Sequence, residues 1–207
     1  MLQRILVWDV PTRVFHWTLA LSFAGAYLTA ESERYRDIHL ALGYLLLGMI
    51  AFRLVWGFVG TAYARFAAFV FKPAEVVGYV RSLLGSHPQH HVGHNPAGGV
   101  AIFLLLALGV LISVSGLGLY WEFGDEDIFE ELHEIAANLM LLVVFVHVAG
   151  VLVSSVLHKE NLVRSMLTGY KTADAEAAIS RPYTDLGMWM AGVVIVFLLV
   201  YLSGFAF

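Results

Sequence analysis

The sequence predicts an all-α integral membrane protein, and three observations carry that reading. Hydrophobic residues make up 59% of its 207 positions and the mean hydropathy is +0.77, too apolar for a water-soluble domain of this size. Five apolar stretches are long enough to cross a hydrocarbon core about 30 Å thick. Those stretches are continuous rather than alternating, which excludes β-barrel strands. A formal charge of −4 leaves no footprint for nucleic acid. The absence of cysteine removes disulfides, thiolate ligands, iron–sulfur clusters and covalently attached c-type haem. The opening residues, MLQRILVWDVPTRVFHW, lack a small-residue cleavage site after an apolar region and read as retained.

The first span runs from about Val14 to Ala30, entered through Asp9 and Pro11, which read as helix-start signals. It carries His16 near its beginning, beside the interfacial Trp17. The second, Ile38 to Gly60, holds His39, Gly43, Gly48 and Arg53. Gly43 and Gly48 remove side chains where another helix, or a flat cofactor, approaches closely. The third, Ala97 to Trp121, has no ionisable residue and reads as scaffold. The fourth, Leu132 to His158, contains His133 and His147, and the fifth spans Leu186 to Phe207 without His, Arg or carboxylate. That last span is expected to pack against lipid or another subunit. Nine Lys and Arg residues lie in the N-terminus and in the connections Thr61 to Pro96 and Lys159 to Asp185, against Arg34 and Arg36 on the other side. The positive-inside rule then places the N-terminus in the cytoplasm and the C-terminus outside; the family resemblance given below implies that this membrane is a bacterial inner membrane and the outside its periplasm.

Two polar connections remain. His87, His90, His91 and His94 fall in a Pro- and Gly-bearing stretch with no acid or cysteine, which reads as a solvated loop rather than a metal site. Seven carboxylates between Glu122 and Glu134 form either a simple solvated loop or a negative landing surface for a basic partner such as a periplasmic c-type cytochrome.

Spacing supplies the functional argument. Fourteen positions separate His133 from His147, which on a helix is roughly 21 Å and almost four whole turns, so both imidazoles share a face at opposite depths. An ionisable residue within a span is a functional candidate by default, and imidazole is a common metal ligand. Taken singly, His147 reads equally as a hydrogen-bonded core residue, His16 as an interfacial one, and Arg53 as a side chain reaching lipid phosphate. Depth joins them: His39 with His133 in the outer leaflet, His16 with His147 in the inner one. Each pair draws on two helices, the requirement for a bis-imidazole haem site, and filling both axial positions favours one-electron transfer over oxygen chemistry. Ala136, Ala137, Ala149 and Gly150 beside the two fourth-span histidines leave room for a porphyrin. Arg53, fourteen residues after His39, falls on the same face near the inner pair, where a guanidinium suits a haem propionate.

The segments RVFHW, IHLALGY, RLVWGFVG, ARFAAF, GHNPAGG, LHEIAAN, HVAGV and ENLVRSMLTG cover most of residues 1–171 in order. On them the chain resembles the prokaryotic cytochrome b561 family, which includes the b-type cytochrome subunits of nickel–iron hydrogenases. The resemblance implies a four-helix bundle over residues 1–171 holding two non-covalent b haems, with His16, His39, His133 and His147 as axial ligands. It also implies exchange of electrons with a quinone pool and with a periplasmic partner, a c-type cytochrome or a hydrogenase-like complex. No catalytic residue is assigned, and whether the chain is itself a quinone oxidoreductase stays open. His158 and Arg164 are weak candidates for a quinone site. Residues 172–185 are then a cytoplasmic linker and residues 186–207 an additional transmembrane helix. Two alternatives stand beside this reading: a stand-alone superoxide- or quinol-linked oxidoreductase, and a haem-free membrane scaffold or transporter.

Overall fold

A computed structural model describes residues 2–85 and 88–204. Helix α1 (Val10–Thr29) starts where Asp9 accepts the Thr12 amide at 2.7 Å and Pro11 occupies the first turn. A 3-10 turn at Glu33–Tyr35 leads into α2 (Arg36–Val59), which runs back antiparallel to α1. The short α3 (Pro73–Leu83) follows, then α4 (Pro96–Tyr120), opened by Asn95 accepting from Gly98 at 2.7 Å. Helix α5 (Glu126–Leu157) has 32 residues, about 48 Å, and so outruns the bilayer core. The brief α6 (Leu162–Thr168) and the last helix, α7 (Thr184–Gly204), complete the set. The regions α2, α4, α5 and α7 are long and apolar enough to cross a membrane. Helix α1 is less apolar, but its 20 residues give about 30 Å, and it lies along α2.

One element departs from the sequence expectation of helices alone. Strand β1 (Leu2–Leu6) pairs antiparallel with β2 (Tyr170–Asp174), Leu2 opposite Asp174 and Leu6 opposite Tyr170. The linker expected over residues 172–185 therefore begins as a strand. Gly169, at φ 88°, ends α6 in the left-handed region, and its carbonyl accepts the amides of Val7 and Trp8 at 2.9 and 3.0 Å. A Cβ there would lie 2.7 Å from the Trp8 carbonyl oxygen, so glycine is required for both shape and space. Ile5, Val7, Trp8 and Ala173 form a buried cluster under this ribbon, with Tyr63, Val92 and Met166 packed on it. The ribbon thus gathers the N-terminus, the α2–α4 connection and the α5–α7 connection at one end of the bundle, called the ribbon end below.

Packing within the bundle is uneven. Helix α1 lies along α2, α5 along α4, and α2 closes on α4. Helix α7 leans on α1 and α2: Gly187 meets Val10, and Met190 joins the buried Phe15 and Leu106. Its other side leaves Trp189, Val196, Leu199 and Val200 exposed to lipid. Between α5 and the α1/α2 pair, a buried layer of Phe23, Leu46, Ile50 and Met140 makes the apolar bridge. Met140 is seven residues from both His133 and His147, so this layer lies midway between the two levels.

Candidate functional site

At the end away from the ribbon, His39 of α2 and His133 of α5 face one another with ring centres 6.2 Å apart. Two metal–nitrogen bonds of about 2 Å each and two ring radii fill that separation. Each ring is steered from behind. His39 Nδ1 donates to the Ala26 carbonyl at 2.9 Å, and His133 Nδ1 donates to the Ile112 carbonyl at 3.0 Å. Ser115 Oγ, itself donating to Leu111, lies 3.1 Å from the same His133 nitrogen. A carbonyl only accepts, so Nδ1 carries the proton in both rings and Nε2 is the free lone pair. This is the arrangement by which outer partners orient metal-binding imidazoles. Gly116 permits it, because a Cβ would stand 3.0 Å from His133 Cε1. Helix α4, expected to be plain scaffold, therefore supplies the groups that orient His133, while α1 orients His39.

At the ribbon end, His16 of α1 and His147 of α5 are near enough to interact electrostatically. His16 Nδ1 is shielded from solvent with no hydrogen-bond partner among the described residues, and its ring stands edge-on to Trp17 at 5.0 Å. Three helical glycines face open space. Gly43, one turn beyond His39, Gly48, and Gly150, one turn beyond His147, would each carry a Cβ into open space with nothing within 4 Å. The facing His39 and His133 rings, the orphaned His16 nitrogen and the open faces at Gly43 and Gly150 are compatible with a flat cofactor such as haem b. No cluster of three or more His, Asp or Glu suited to a bare metal ion exists among the described residues.

Arg53 is 3% exposed and its Nη1 has no hydrogen-bond partner among the described residues. Its guanidinium lies 4.7 Å from the Phe66 ring centre, 5.6 Å from Phe69 and 5.9 Å from Phe15. Such cation–π contacts are worth about 0.5–2 kcal/mol, against a desolvation cost of several kcal/mol for a buried charge. The buried Asp9 does not pair with it closely. That carboxylate is engaged by the Thr12 amide, Trp56 Nε1 and the Thr61 hydroxyl.

The histidine-rich loop differs from its expectation. His87 lies outside the described residues. His94 is not solvated: its ring packs 4.7 Å from Trp8 and 4.6 Å from Phe69, and its Nδ1 is shielded and without a partner among the described residues. Burial, helped by the Arg53 charge, pushes its pKa down to about 3. The signal was present in the sequence. His94 directly precedes the Asn95 cap, a position whose side chain turns inward against neighbouring structure. His90 is 3.4 Å from Glu160, which pairs with Lys171 at 3.1 Å. Lys171 Nζ donates to the carbonyls of Val92 at 2.9 Å and His91 at 3.4 Å, pinning the loop. His158 stacks edge-on with His90 at 5.2 Å. Arg164 is exposed, in an open depression it shares with Lys159 and Asn161. Neither His158 nor Arg164 is brought to the histidine pairs.

The profile of the prokaryotic cytochrome b561 family matches residues 7–169. A probable Ni/Fe-hydrogenase B-type cytochrome subunit of Azotobacter vinelandii is 27% identical, with 81% of this chain and 88% of the relative aligned. The protein of the same description in Rhizobium leguminosarum bv. viciae shows the same identity and coverage. The probable Ni/Fe-hydrogenase 1 B-type cytochrome subunit of Escherichia coli K12 is 22% identical over 80% of this chain and 90% of its own. No solved structure matches. A profile match that takes in all four bundle helices, together with paired intramembrane histidines, makes this chain a multi-pass membrane b-type cytochrome belonging to the prokaryotic cytochrome b561 family.

Proposed function

We propose that the chain holds two b haems, one between His39 and His133 and one between His16 and His147, and carries electrons across a bacterial inner membrane. The observation that carries this is the facing His39 and His133 rings, each with Nδ1 committed to a backbone carbonyl and Nε2 left free. Bound haem would supply one-electron chemistry, with these four histidines as the residues that would hold it. The protein's own part is to fix ring orientation, to leave Gly43, Gly48 and Gly150 bare, and to keep the space between the levels apolar. Arg53 supports the ribbon-end site as a partner of a propionate, because its buried Nη1 has no hydrogen-bond acceptor among the described residues and Asp9 acts on it only at a distance.

Lys and Arg gather at the ribbon end, which supports a cytoplasmic ribbon and a periplasmic far end. On that orientation the seven exposed carboxylates from Glu122 to Glu134 present a negative face to the periplasm. The names of the relatives favour a hydrogenase as the redox partner there; a basic c-type cytochrome fits the same charge. Quinone in the bilayer is the other electron exchanger.

The test is spectroscopic. Purified protein should show a b-type α band on reduction and two haems per chain by pyridine haemochrome. His133→Ala and His147→Ala should each remove one haem and leave the other. A protein with no α band, or one haem that both substitutions abolish, would overturn the reading.

A further inference from the structure

His94 is the buried group that the axial ligands and Arg53 leave unexplained. Its ring is fixed between Trp8 and Phe69, and Arg53 rests on that same Phe69 ring at 5.6 Å. Arg53, His147 and His16 are all near enough to the imidazole to act on it electrostatically. Two shielded nitrogens here, His94 Nδ1 and Arg53 Nη1, lack acceptors among the described residues. No carboxylate among the described residues hydrogen-bonds to either, and the buried Asp9, which acts on Arg53 at a distance, is taken up by Thr12, Trp56 and Thr61. Buried donors without acceptors are rare and costly, and burial of Arg53 shuts out lipid phosphate from the bilayer surface. The loop is also held with unusual care for a connection. Lys171 grips two of its carbonyls, and Asn95 caps α4 directly after the histidine. Both anchors determine where His94 sits.

We propose that His94 is the second donor, beside Arg53, to a propionate of the haem held between His16 and His147. This rests on the two-haem reading. A carboxylate received by a guanidinium and an imidazole N–H satisfies both orphaned nitrogens at once. It also screens the propionate charge from the iron, which raises that haem's potential.

The test compares His94→Phe, which fills the aromatic slot without an N–H, with His94→Gln, which keeps a donor. Haem per chain is counted by pyridine haemochrome and both midpoints by optical redox titration, the ribbon-end haem being the one that His147→Ala removes. His94→Phe should lower the midpoint of that haem by ~59 mV or more, a tenfold change in its one-electron equilibrium, and leave the other haem unmoved. His94→Gln should restore most of the shift. Loss of the ribbon-end haem in His94→Phe but not in His94→Gln supports the same role. Unchanged midpoints in His94→Phe, equal shifts of both haems, or two variants that behave alike would overturn it. Wild type with two haems and an unmoved His94→Phe sinks the inference alone; wild type with no ribbon-end haem sinks the parent reading as well.

Discussion

Gly43 and Gly116 do opposite jobs beside the same pair of histidines. Gly43 leaves a space empty, so Gly43→Phe should fill the far-end porphyrin space. We expect one haem per chain in that variant, with thermal unfolding of haem-free protein changed by less than about 1 kcal/mol. Gly116 lets a ring approach, and Gly116→Val should push His133 off the Ile112 carbonyl, so the far-end α band weakens while the ribbon-end band persists. His94 gives a pH signature in haem-free protein. Its imidazole is held neutral in the fold, down to about 3, against an ordinary value of 6.5. Unfolded chain therefore binds the extra proton between those limits. The contribution to stability is complete above pH 6.5 and is lost as pH falls toward 3, with a slope of at most about 1.4 kcal/mol per pH unit. Arg53, His147, Lys171 and His16 are the charged or titratable groups that face it. Urea or thermal titrations of wild type and His94→Phe check this, since the variant should lose that part of the slope.

Helices α2, α4, α5 and α7 were legible because long apolar runs have few alternatives in a bilayer, and the fourteen-residue intervals survive folding because helix pitch is fixed. The ribbon was not. Strand β2 turns Lys171 and Ala173 inward, so no apolar alternation marks it. A lysine faces inward only because Glu160 and two loop carbonyls, distant in sequence, meet its ammonium. The same distance hid the surroundings of His94: its neighbours Trp8 and Phe69 lie 86 and 25 positions away in the chain. Lys171→Met should leave Glu160 partly buried without its partner and free the loop, at a cost of about 3 kcal/mol. The thermal midpoint should fall, and Glu160→Gln in the same chain should recover part of it. Gly169→Ala should also destabilise, by more than the ~1 kcal/mol of a left-handed residue alone, because the Trp8 carbonyl stands in the way. Loss of protection of the β1 amides in hydrogen exchange would mark the ribbon as the part that opens.

At the scale of the molecule, the two histidine levels depend on helices that scarcely touch except through one apolar layer. Helix α5 carries a histidine at either level, α1 and α2 carry the other two, and Phe23, Leu46, Ile50 and Met140 hold them together midway. The depth of these histidines could be read from their spacing, whereas the groups behind the rings, Ala26 on α1 and Ile112 and Ser115 on α4, emerge only from helix packing. The layer is dry, and dryness has an electrical meaning. A charge that travels the roughly 21 Å between the levels passes through most of the insulating thickness of the bilayer with no counter-ion to accompany it. In sealed vesicles an opposing voltage should then resist each electron by roughly 1.6 kcal/mol per 100 mV, about two-thirds of the full-membrane figure. If the two levels each hold a haem, as proposed, Met140 and its neighbours decide whether a hop between them also charges the membrane like a capacitor.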